Sequence, residues 1–150
     1  MPAWGRSWLL LSVPIALLGF LGSLVPFFDE GIYAGETRNW SAQAAGQDVT
    51  NLLVFPVMLA LALLAYRGSL RAFLVWSGLV VYSVYAYAIY CFDVHWSRLF
   101  LLDVAVFGLS VYALIAVLVS VDLMRVRASF PTGARFHSVA AALVSIAVLF

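Results

Sequence analysis

Asp48, Asp93, His95 and Asp103 are the side chains whose types and spacing could do chemistry in this chain. Asp93 and His95 stand two apart in Asp93-Val94-His95-Trp96. Carboxylate oxygen and imidazole nitrogen together suit zinc or a similar ion, so this pair could build a metal site with Asp48 or Asp103. Two residues in one short loop make a weak motif, and the plainer reading is a solvated loop carrying an interfacial tryptophan. No metal is assigned, and Asp93 and His95 stand as weak candidates. Asp103 lies about one turn inside an apolar run. A carboxylate there costs free energy unless it is paired, protonated or wetted, which makes it a functional candidate by default. The bland alternative is an aspartate near enough the interface to reach water or a tyrosine. Gln47-Asp48 opens another apolar run. Asp48 is either an edge carboxylate open to a proton, cation or ligand, or a helix N-cap complementing the helix dipole.

Aromatic residues supply a second candidate surface. Trp76, Tyr82, Tyr85, Tyr87 and Tyr90 fall within one apolar run. At about 100° per residue, Trp76, Ser83, Tyr87 and Tyr90 share one stripe, with Gly78, Tyr82 and Tyr85 on the other side. Such walls could hold a flat apolar molecule such as a quinone. They could equally pack helices together, with phenol hydroxyls bonding their neighbours. Two aromatic faces predict that both sides of this helix touch protein. The candidate ligand-binding set is Gln47, Asp48, Tyr82, Tyr85, Tyr87, Tyr90 and Asp103.

The elements that must position these residues are membrane-spanning helices. Of 150 residues, 65% are hydrophobic and 10% charged, against roughly 25% charged in soluble domains. Lipid cannot hydrogen-bond the backbone, so the spanning segments must be helical. Apolar runs predict helices at about 8–28, 49–66, 72–92 and 99–121, with a fifth at about 138–150. The first is longer than a signal-peptide core and reads as a retained anchor. Pro56 should kink the second. The fifth would span only about 20 Å and stops while still apolar, as expected of a truncated or lost C-terminal region. The fold class is therefore all-α, a single transmembrane bundle of four full helices and a short fifth.

Arginine sets the orientation. Arg6, the turn Arg67-Gly68-Ser69-Leu70-Arg71, and the stretch holding Arg125, Arg127 and Arg135 alternate with an acidic loop at 29–48. The positive-inside rule places the N-terminus and those arginines in the cytoplasm, with the acidic loop and residues 93–98 outside. The twenty-residue acidic loop is long enough to carry function. Thr37 or Asn39 could cap a short interfacial helix there, holding Trp40 and ended by Gly46. Asn39-Trp40-Ser41 matches a glycosylation sequon and reads as chance. Small residues four apart, Gly19/Ser23, Ala116/Ser120 and Ala141/Ser145, permit close helix approach.

Several functions are excluded or left without support. A net charge of +1 gives no basic face for nucleic acid. The single cysteine, Cys91, cannot form an intrachain disulfide or a CxxC pair. The spans offer no continuous polar lining for an ion channel. No cofactor or catalytic motif is present. The motifs Gly31-x-Tyr33, Gly46-Gln47-Asp48, Arg67-Gly68-Ser69-x-Arg71 and Trp76-x-Gly78…Tyr82-x-x-Tyr85-x-Tyr87-x-x-Tyr90 resemble a group of prokaryotic, actinobacterial-type multi-pass membrane proteins with no established activity. That resemblance covers roughly residues 15–120 and implies a topology, a somewhat longer chain and no mechanism. Asp103 departs from its pattern, where an aromatic residue is expected. The tryptophan-and-proline-rich loop of translocator proteins is missing.

The leading expectation is a non-enzymatic protein of the cell inner (plasma) membrane that binds a small apolar or amphipathic ligand on its outward side. The alternative is a structural subunit, a homo-oligomer or the accessory of a membrane partner protein. A metal-dependent membrane enzyme ranks below both.

Overall fold

The computed structural model describes residues 5–128, in which the four apolar runs are helices long and apolar enough to cross a membrane. The first span, Ser7–Phe27, contains α1 (Ser12–Leu24) between two short 3-10 stretches. Then come α2 (Arg38–Tyr66), α3 (Leu70–Phe92) and α4 (Phe100–Ser120), followed by the six-residue α5 (Leu123–Ala128). The segment expected at 138–150, with Ala141/Ser145 and His137, lies outside the described residues. The chain is thus an all-α bundle, and its helix lengths and hydropathy mark it as a multi-pass membrane protein in contact with lipid.

The helices form a ring in which each packs on two neighbours, in the order α1, α2, α3, α4 and back to α1. Polar side chains are gathered inside the bundle and large aliphatic ones face out. Ser12, Ser23, Asp48, Asn51, Ser83, Asp103 and Ser110 are buried, while Leu53, Leu101 and Val119 are exposed by 69%, 78% and 82%. With lipid as apolar as leucine, burying aliphatic surface gains little. The helices are held instead by close packing of small residues and by interhelical hydrogen bonds. Two such bonds cross the ring from α3 to the first span: Trp76 Nε1–H to Ser12 Oγ at 2.7 Å, and the Tyr87 hydroxyl to the Gly19 carbonyl at 3.3 Å.

Three expectations change. First, α2 is one helix of 29 residues, not a loop followed by a span from 49. Thr37 caps it, Oγ1 accepting the Trp40 N–H at 3.4 Å, but Gly46 does not end it. Gly68, at φ +103°, is the described glycine in the left-handed region that stops a helix. At Gly46 the chain stays helical, which keeps every backbone N–H bonded as it enters lipid. Second, Asp48 is therefore not an N-cap, because it sits in the third turn of α2. Third, α3 touches protein on only part of its second face, where the Tyr82 hydroxyl donates to Asn51 of α2. Trp76, Ser83, Tyr87 and Tyr90 face inward, whereas Tyr85 is 66% exposed and Gly78 borders open space. A four-membered ring leaves every helix one lipid face. Pro56 lies inside α2, where its ring removes the bond to the carbonyl four residues back.

The ends of the bundle differ. At the arginine end, Gly68 and Ser69 donate their N–H groups back to Ala65 and Leu64 at 2.9 and 3.1 Å. Ser69 then caps α3 through Ala72 N–H, and Arg6 lies 5.3 Å over the Tyr66 ring. At the acidic end the two loops are tied together. The Glu36 carboxylate accepts the His95 backbone N–H at 2.6 Å and pairs with its Nδ1 at 3.0 Å, and Arg98 reaches Asp29 at 3.5 Å.

Close approach of α1 and α2 depends on Gly19. A Cβ there would collide with the Phe55 ring, which is fully buried. Gly19→Val should cost about 1–3 kcal/mol by overpacking, read as a lowered thermal midpoint in detergent micelles. Adding Phe55→Leu should recover part of that loss, as coupled neighbours do. Equal and additive losses would show that the two helices do not meet there.

Candidate functional site

The polar side chains converge at the acidic end because α2 presents them on its buried stripe. Ala44, Asp48, Asn51, Phe55, Met58, Ala62 and Ala65 are its buried residues, spaced alternately four and three apart. Asp48 and Asn51 are exposed by 2% and 0%. A span of about 20 residues counted back from Tyr66 reaches Gln47, so both lie near the hydrocarbon edge. Asp103, the fourth residue of α4, enters at the same end.

Asp48 is held by two phenols. The Tyr33 hydroxyl donates to Oδ2 at 2.7 Å and the Tyr90 hydroxyl to Oδ1 at 3.0 Å. Tyr33 belongs to a 3-10 turn, Glu30–Tyr33, outside the spans, where Asp29 accepts the Gly31 N–H at 3.0 Å. Burial, and then the Asp48 carboxylate, hold the Tyr33 phenol well above the usual range, so it remains a donor. One turn along α2, Asn51 joins three helices. Its Nδ2 donates to Ser23 Oγ of α1 at 3.0 Å, and its Oδ1 accepts from Tyr82 of α3 at 2.8 Å and from Gln47 at 3.2 Å. Gln47 Nε2 also donates to the Tyr82 hydroxyl.

These contacts divide the candidate set. Asp48, Tyr87, Tyr90 and Asp103 line one small chamber of about 10 Å3, reached also by Tyr33, Ser23 and His95. That is room for about one water molecule, too little for an organic ligand. Gln47 and Tyr90 line a separate cleft of about 80 Å3 between α2 and α3, with Trp40, Gln43, Ala44, Ala86, Ile89 and Val94. Tyr82 stands behind that cleft in the Asn51 cluster, and Tyr85 joins neither. A groove of about 270 Å3 at the arginine end is lined by aliphatic side chains and Tyr66, as an acyl chain would find on a lipid-facing surface.

Among the described residues, no three His, Cys, Asp or Glu side chains converge as metal ligands. His95 instead turns to Glu36, and Asp93 is the residue that follows α3. Asn51 and Tyr33 were not among the candidates. Asn51 was findable as an amide inside an apolar run, three residues from Asp48 and four from Gln47, on one helix face. No local signal in the sequence places Tyr33 on Asp48, since the contact depends on how the loop folds back.

Comparison with protein-family models, with curated proteins and with solved structures returns no match. The resemblance to the actinobacterial-type group rests on the quoted motifs alone, and function has to be argued from the site.

Replacing Asn51 by Leu leaves buried partners on α1 and α3 unpaired, and should cost about 1–3 kcal/mol. Leu53→Ala, on the lipid-exposed face, should be much milder in the same thermal assay. Equal losses would mean that the Asn51 cluster does not hold the helices. The Glu36 link should respond to acid. The His95 backbone N–H holds the Glu36 carboxyl below its ordinary value of 4.5. A depressed carboxyl stabilises the fold above the ordinary value, and that contribution is lost as pH falls through the lowered one. The chain has two glutamates, so a Glu30→Gln variant isolates Glu36 for carboxyl NMR. A midpoint at or above 4.5 would contradict the contact.

Proposed function

We propose that this membrane protein is a binding protein rather than an enzyme, and that it takes a small amphipathic molecule into the α2–α3 cleft at its acidic, outward end. The cleft carries the reading. Its walls combine apolar surface from Trp40, Ala44, Ala86, Ile89 and Val94 with hydrogen-bonding groups from Gln43, Gln47 and Tyr90. An apolar pocket with a few fixed polar groups is the usual form of a small-molecule site. Gln47 is held by Asn51 and Tyr82 and Tyr90 by Asp48, so these polar groups are preorganised. At about 80 Å3 the cleft suits a small head group or a short alkyl segment, with the rest of the molecule lying along the lipid-facing surface. The orientation rests on the arginine distribution, which puts this end in the outer leaflet of the plasma membrane.

Native mass spectrometry of protein released from lipid nanodiscs tests the reading. Wild type should carry a bound species of constant mass. That species should be lost from Ile89→Trp, which fills the cleft, and from Gln43→Leu, which removes a polar wall. It should persist in Val119→Trp on the far lipid face. A ligand-free oligomer or a reproducible complex with another membrane protein, unchanged by these substitutions, would replace this reading with that of a structural subunit.

A further inference from the structure

The small chamber beside the cleft presents a different chemistry. Two carboxylates line it, Asp48 from α2 and Asp103 from α4, and no arginine is among its lining residues. Asp48 is already served by the Tyr33 and Tyr90 hydroxyls. Asp103 is only 9% exposed, and its carboxylate has no hydrogen-bond partner among the described residues. Other polar groups lining the chamber turn elsewhere: the Tyr87 hydroxyl donates to the Gly19 carbonyl, and His95 Nδ1 pairs with Glu36. A carboxylate with no protein donor, opening only onto this small chamber, is costly unless the chamber supplies a partner, and at the membrane edge it marks an ion site.

Size and charge narrow the occupant. The chamber's roughly 10 Å3 admits about one water-sized body. With Asp48 served by two phenol hydroxyls, one carboxylate charge is left to balance. A single positive charge of about a water's dimensions fits both the volume and the unserved carboxylate. We propose that Asp103 and Asp48 together bind one monovalent cation, a sodium ion, that enters from the acidic end past His95 and Ser97. This site is separate from the cleft between α2 and α3, and stands or falls independently of any ligand there.

The test uses the full chain in phosphatidylcholine nanodiscs, with sodium chloride replacing choline chloride at constant ionic strength. For a sodium site, the thermal midpoint rises with sodium in wild type and in the exposed-loop control Asp93→Asn. The apparent sodium affinity falls at least tenfold in Asp103→Asn. A wild type that ignores sodium and shows a protonated carboxylic acid band in its infrared spectrum at neutral pH overturns the proposal, because a neutral Asp103 needs no cation. A sodium response undiminished in Asp103→Asn overturns the proposal. So does a wild type with neither a sodium response nor an acid band. Both wild-type measurements decide the matter even if Asp103→Asn fails to fold.

Discussion

The bundle depends on one constraint: α2 carries an aspartate and an asparagine into lipid, and both must be satisfied by protein. An unpartnered amide or carboxylate costs several kcal/mol or more in an apolar medium, in rough terms. Asn51 and Asp48 meet that demand by drawing partners from α1, from α3 and from the loop before α2. The four-three spacing of the α2 stripe places them on the same face as Phe55 and Met58. Satisfying the polar groups therefore fixes the rotation of α2, and with it the packing of Phe55 against Gly19. The polar cluster sets the register, and the apolar contacts follow from it.

Much of this was legible in the residues and some was not. Four spans follow from apolar runs of bilayer length, and the inward stripe of α3 from its helical period. Gly19/Ser23 was readable as a close-approach pair, and each member does a separate job: Gly19 admits Phe55 and Ser23 accepts from Asn51. Hydropathy places the start of α2 too late because it falls off at the interface, although the helix does not stop there. Asp48 looked like a cap for the same reason. Tyr85 looked like a site residue because periodicity identifies a face without saying whether that face meets protein or lipid. Tyr33, which holds Asp48 through the folding of a loop, left no periodic trace.

The acidic end concentrates what is chemically unusual in the molecule. Within a few turns it holds both buried carboxylates, the amide cluster, the cleft and the links between the loops. The arginine end is simpler, with a glycine-stopped helix, a serine cap and a cation over a tyrosine ring. One end gathers the buried polar side chains, and the other is a tight turn joining two helical hairpins. That asymmetry sets Asp48, Gln47 and Asp103 apart from the larger aliphatic groove at the other end.

The distribution of hydrogen bonds between the hairpins bears on how the chain enters the membrane as it is made. Ser23 and Tyr33, partners of Asn51 and Asp48, both lie in the first half of the chain, between the start of α1 and the start of α2. A hairpin of α1 and α2 alone thus already carries acceptors and donors for its own polar residues, before α3 and α4 are synthesised. The second hairpin then contributes Tyr82 and Tyr90 to a cluster whose first bonds need no help from it.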